Sequence, residues 1–119
     1  MSAYAIPGLK YQINNNPLEV ETILEAVAKY YKVTTDQILG KSRRQELVRA
    51  RFMASYFLRE LTTLSLKSVG AIMGGRDHTT ILHAIEQISS LMDVYPEVVQ
   101  ESEQIREAIS TAHYLRAIN

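Results

Sequence analysis

The stretch "SLKSVGAIMGGRDHTTILHA", residues 65–84, decides the fold. Leu66, Val69, Ile72 and Met73 recur at helical spacing and predict a short helix, which Gly74 and Gly75 end. A second helix is expected from about Asp77 to about Val94. Its inward stripe is Ile81, Ile85, Ile88 and Met92, at i, i+4, i+7 and i+11. Two helices joined by a tight glycine turn have helix-turn-helix proportions. Asp77, His78, Thr79 and Thr80, all short and hydrogen-bonding, fill the first turn of the second helix.

Working outward, the long segment at about 46–64 carries Leu47, Ala50, Ala54, Phe57, Leu58 and Leu61 on one face and predicts a central core helix. Before it, "KSRRQE" at 41–46 reads as a basic loop, and Arg44, or Arg51 in the helix, paired with a nearby acid would be an ordinary surface pair. "TTDQILG" at 34–40 reads as one short helix, capped by Thr34 or Thr35 and stopped by Gly40. The first helix is expected to open with Asn16 as N-cap and Pro17 at the first helical position. Its apolar face is Leu18, Ile23, Val27 and Tyr30 or Tyr31. Pro96 starts a last helix, acidic early and frayed late, which packs through Val98 or Val99, Ile105, Ile109 and Leu115. No strand or repeat is evident. The expectation is an all-α domain of about six helices over 17–119, with a core at 17–95 and a C-terminal helix at 96–118, preceded by an arm or linker at 1–16.

The bounds agree. A chain of 119 residues is one domain by length and can bury a modest core. It has no cysteine, which removes disulfides, thiolate catalysis and cysteine-based zinc sites. No apolar run approaches a membrane span, and the N-terminus lacks the pattern of a signal peptide. The expected location is cytoplasmic and nucleoid-associated. Net charge is zero, yet the distribution is uneven. Residues 40–83 hold eight bases and three acids, a charge of +5, and the remainder carries −5. A basic middle with acidic flanks is an electrostatic footprint for a polyanion, and a solvated basic helix face gives the same pattern.

In a helix-turn-helix the second helix enters the major groove and offers its N-terminal residues to base edges. Asp77 can accept from a cytosine amino group, and the threonines can contact thymine methyls or phosphates. First-turn amides favour a phosphate as well. Capping is the simpler reading of Asp77 or Thr79 taken alone. His78 and His83 stand at i, i+5, off the i, i+4 spacing of a zinc pair. An Asp–His general base lacks a nucleophile that can be placed, and no "GxxxxGK[ST]" loop occurs. No catalytic role, metal or cofactor is therefore expected. The pairs Tyr30–Tyr31 and Tyr56–Phe57 read as core rather than base-stacking platforms.

"GGRDHTTILHA" resembles the signature of the C-terminal DNA-binding domain of the bacterial replication initiator DnaA family. The resemblance runs back through "SLKSVG" and "RARFMASYFLRELT" to "ILEAVAKYYKV", covering roughly 17–95. It implies an all-α, Trp-repressor-like helix-turn-helix domain that binds DnaA boxes in duplex DNA. By the same resemblance Asp77, His78 and Thr79 read bases in the major groove, with Thr80 supporting. Arg43, or its near rival Arg44, enters the adjacent minor groove. Lys41, Arg51 and Arg59 match backbone-contacting positions, the start of the first motif helix (Leu66, Lys67, Ser68) lies against the backbone, and Arg76 joins this supporting set.

Two departures stand out. Ala50 and Phe52 flank Arg51 where the family often has proline and glutamine, which puts one backbone contact in doubt. Lys67 replaces a common proline and adds a candidate phosphate contact. The expected partners are double-stranded DNA and DnaA-family initiator or replication proteins, with the chain a monomer in isolation. No assembly ATPase domain accompanies the motif, so the chain is either the terminal domain of an initiator or a stand-alone box binder. The alternative of another class is a protein-interaction module on the same helices with DNA readout lost.

Overall fold

The computed structural model describes residues 17–118 and, within them, six helices and no strand. The arm at 1–16 and the Asn16 cap lie outside the described residues. The helices are α1 (Pro17–Tyr31), α2 (Thr35–Leu39), α3 (Gln45–Leu61), α4 (Leu66–Ile72), α5 (His78–Val94) and α6 (Pro96–Ile118). None of them is long and apolar enough to cross a membrane.

The amphipathic α3 is the hub and packs on α1, α2, α4 and α5. Met53, Phe57 and Leu58 of α3 are fully buried, as are Ile23 and Val27 of α1, Ile81 and Ile88 of α5, and Ile105 and Ile109 of α6. Tyr56 stacks edge-on against Phe57 at 5.1 Å, and Arg106 lies over the Phe57 ring at 5.2 Å. Tyr31 packs half-buried against the core, whereas Tyr30 is at the surface. The buried face of α1 is wider than the expected stripe and includes Thr22, Leu24, Ala26 and Ala28, because α1 is gripped from two sides by α3 and α6.

Local chemistry explains the helix ends. Thr34 caps α2: its hydroxyl accepts from Gln37 N at 3.0 Å while Gln37 Oε1 accepts from Thr34 N at 2.9 Å, a reciprocal capping box. The helix expected over 46–64 ends three residues early, at Leu61. Thr62 donates its hydroxyl to Leu58 O and accepts from Leu64 N at 3.1 Å, which draws the chain out of the helix.

At the end of α1, Val33 N donates to Ala28 O at 3.0 Å and Lys32 N to Lys29 O at 3.2 Å. This closure sets Lys32 at φ +59°, left-handed backbone in which a side chain is strained. Lys32→Gly is expected to stabilise the fold by about 0.5–1 kcal/mol, the relief of strain being partly offset by a freer unfolded chain. A rise in the urea midpoint without a change in slope would show it.

The C-terminal helix packs differently from expectation at its far end. It stays helical to Ile118 and folds back along α1. Val98, Ser102, Ile105 and Ile109 form its buried face, while Leu115 is half exposed and does not join the core. The last turns dock through polar groups instead. His113 Nδ1 meets Glu19 Oε2, with both atoms shut off from solvent, and Arg116 reaches Glu25 at 2.8 Å and Glu21 at 3.8 Å.

Candidate nucleic-acid interface

The turn between α4 and α5 is built by backbone and glycines. Ser65 caps α4, accepting from Ser68 N at 3.1 Å. After Ile72 the chain reverses through Gly74 (φ +84°) and Gly75 (φ +78°), so that Arg76 N donates to Gly70 O at 2.8 Å. The turn thus lies directly on α4. A Cβ at Gly70 would sit 2.1 Å from Arg76 O, and one at Gly74 would sit 2.4 Å from Leu39 O. Gly70 was not singled out by periodicity. Its one legible signal is a lone glycine inside a helical pattern, which marks close approach of another backbone.

Asp77 then caps α5. Its Oδ2 accepts from Thr79 N at 3.0 Å and from the Thr79 hydroxyl. These bonds, the side-chain one first, hold the Asp77 carboxyl below its ordinary pKa, so the group is an anion at neutral pH. Capping and display coexist: Asp77, His78, Thr79 and Thr80 are all exposed, ahead of buried Ile81 and Ile88. His78 Nδ1 stands 3.6 Å from Asp77 Oδ1. The Thr79 hydroxyl hydrogen is committed to Asp77. Its oxygen can therefore only accept from an outside group, and its methyl is the other surface it offers.

The basic residues divide into two sets. Lys41, Arg43 and Lys67 are exposed and make no ion pair among the described residues. Ser68 is exposed beside Lys67, and Leu66 is half-buried. Arg44 is paired with Glu46 at 2.5 Å, the surface pair expected for one of the two candidates, which leaves Arg43 as the free arginine of the loop. Arg59 is exposed but donates to Leu64 O at 2.6 Å.

Arg51 and Arg76 turn their guanidinium groups toward backbone carbonyls of the protein. Arg51 is 9% exposed. Its Nε donates to Ile38 O at 2.6 Å, its Nη2 to Gln37 O at 3.0 Å and its Nη1 to Ser42 O. Arg76 donates through Nη1 to Met73 O and to Leu39 O at 3.3 Å, and through Nη2 to Gly40 O at 2.5 Å. The reason is physical. The last carbonyls of α2 have no intrahelical partner and carry the negative end of the helix dipole, and a guanidinium fork matches them. Burial, and then the neighbouring Arg76 charge, lower the Arg51 pKa from its ordinary value.

Phe52 packs rather than reaches out. Its ring meets His83 edge-on at 6.4 Å and rests on the core. Nearby, Glu101 of α6 accepts from Arg49 Nη1 at 2.8 Å and from the Tyr31 hydroxyl, tying α6 to α3 and α1. Burial, then the Glu101 contact, raise the Tyr31 pKa and keep that hydroxyl a donor.

A tight two-helix turn, a capped second helix with a bare polar first turn, and a basic loop tied to the turn define a helix-turn-helix domain. The family described as "Bacterial dnaA protein helix-turn-helix" matches residues 20–88, and the chain belongs to that family. It is 42% identical over 88 residues to the chromosomal replication initiator protein DnaA of Neisseria meningitidis, an overlap covering 74% of this chain and 17% of the relative. Identity to the initiator of Cutibacterium acnes is 42% over 93 residues, 78% of this chain and 19% of the relative. For Enterococcus faecalis it is 36% over 111 residues, 93% and 25%. The chain therefore spans a quarter or less of the length of these relatives.

Proposed function

We propose that the chain is a sequence-specific reader of duplex DNA that binds DnaA-box-like sites in replication initiation or its regulation. The observation that carries this reading is the bare first turn of α5, set against a loop that holds an unpaired arginine. In this reading α5 lies in the major groove. His78 and Thr79 contact base edges there, with Asp77 presenting the carboxylate oxygen that does not cap the helix and Thr80 supporting. Arg43 enters the neighbouring minor groove and reads its width and A·T character. Lys41, Lys67 and Arg59 face phosphates, with Ser68 and Leu66 alongside, and supply affinity through counterion release. Residues 17–95 form the reading core, and the helix at 96–118 braces α1 and α3 behind it.

The test is a titration of a labelled duplex carrying a DnaA box against a scrambled duplex of equal composition, at two salt concentrations. Tight, salt-sensitive binding that favours the box is the expected result. Equal and weak binding to both would overturn the proposal and favour a protein-docking role for the same helices. Lys41→Ala is expected to weaken binding to both duplexes alike and to reduce the salt slope by about one unit. A selective change in sequence preference would contradict the phosphate role given to Lys41.

A further inference from the structure

Five carbonyls of one short segment, those of Gln37, Ile38, Leu39, Gly40 and Ser42, are received by two arginines from two other elements. Arg51 comes from the middle of α3, and Arg76 from the residue just before the α5 cap. Gly74 presses on the same segment, with Leu39 O in the space a Cβ would need. The segment leads straight into the loop that presents Arg43. Ser42, whose carbonyl Arg51 holds, is the residue immediately before it. The loop is otherwise fixed only lightly, by Arg44 N donating to Ser42 Oγ at 3.3 Å and by the exposed Arg44–Glu46 pair.

We infer that Arg51 and Arg76 are positioning residues that lock the Arg43 loop in register with the first turn of α5, so that the two halves of a DNA site are read as one rigid unit. This rests on the DNA-reading function proposed above and adds to it the device that sets the spacing between the two readouts. The geometry favours a clamp over a phosphate contact. A phosphate contact needs a donor exposed to the outside, whereas Arg51 is buried and aims all three of its nitrogens at protein carbonyls. Two guanidinium groups are drawn together here, a repulsive arrangement that the carbonyls between them offset. The outcome is a connection from α3 through the backbone of the segment before Arg43 to the recognition turn.

Lysine distinguishes the two roles. It keeps the charge and can still meet a phosphate, but it cannot bridge three carbonyls in a plane. The experiment measures wild type, Arg51→Lys, Arg43→Ala and His78→Ala by competition against a set of duplexes in which each base pair of the preferred site is changed in turn. Arg51→Lys is expected to flatten discrimination about tenfold at the positions flattened by Arg43→Ala, and to leave those flattened by His78→Ala unchanged. The double variant Arg43→Ala/Arg51→Lys is expected to lose no more at those positions than Arg43→Ala alone. A wild-type profile for Arg51→Lys, or a uniform loss over all positions, overturns the clamp. If wild type itself shows no preferred site, the DNA-reading proposal fails first, and that result is separate. Should Arg51→Lys not fold, Arg76→Lys, whose side chain is only half-buried, carries the same comparison with the same two outcomes.

Discussion

Replacing Gly70 by alanine is expected to destabilise the domain by about 2–3 kcal/mol, although alanine is the better helix former. The propensity gain is about 1 kcal/mol for a glycine in a helix interior. Against it stands a Cβ placed 2.1 Å from Arg76 O and 3.2 Å from Arg76 C, and both are backbone atoms that cannot rotate aside. Relief requires moving the whole turn. That would break the 2.8 Å bond from Arg76 N to Gly70 O and disturb the Arg76 guanidinium on Gly40. The melting temperature should fall by roughly 10–20 °C. Gly75→Ala is the control, since φ is +78° there but nothing lies within 4 Å of the added carbon. It should cost only the backbone strain of about 1–2 kcal/mol. Equal melting temperatures for wild type and Gly70→Ala would mean that the turn does not lie on α4 in solution.

The second large effect is on recognition rather than folding. His78→Ala should reduce discrimination between a preferred site and a scrambled duplex by about 5- to 150-fold, the equivalent of about 1–3 kcal/mol for a lost base contact. Stability should change by no more than about 0.5 kcal/mol, because the ring is exposed and its contact with the Asp77 carboxylate, at 3.6 Å, is a surface one. The salt slope should stay as in wild type, since the role proposed for this side chain is a base contact and not a phosphate contact. Competition titrations at two salt concentrations, with a thermal melt of the same sample, separate these quantities. A variant that kept its preference but lost stability would mark His78 as a structural residue.

Much of this was legible in the sequence because helical periodicity reports burial directly. The Ile81 and Ile88 stripe, the core face of α3 and the glycine stop of α4 all follow from spacing and turn chemistry. The polar first turn of α5 was legible for a related reason: short hydrogen-bonding residues ahead of an apolar stripe have few structural uses besides capping. What stayed hidden was set by tertiary contact. Arg51 and Arg76 look like any surface arginine in one dimension. Only the arrival of the α2 carbonyls, from 13 and 37 residues away, turns them inward. Leu115 continues an apolar pattern, yet α1 offers Glu19, Glu21 and Glu25 to that end of α6, so charged and polar partners win the contact there. Phe52 reads as the loss of a polar contact, and in space it is a gain in packing against His83.

The bond between Asp77 and the Thr79 hydroxyl has a consequence for how this surface can change over evolutionary time. Asp77 stabilises the helix end and also fixes which way its neighbour's hydroxyl is polarised. A substitution at 77 therefore changes the chemical character shown at 79 without touching residue 79 itself. Freed of the carboxylate, the same threonine can donate where it formerly could only accept. Loss of the carboxylate at 77 therefore removes the helix cap and alters the chemistry shown at 79 in one step.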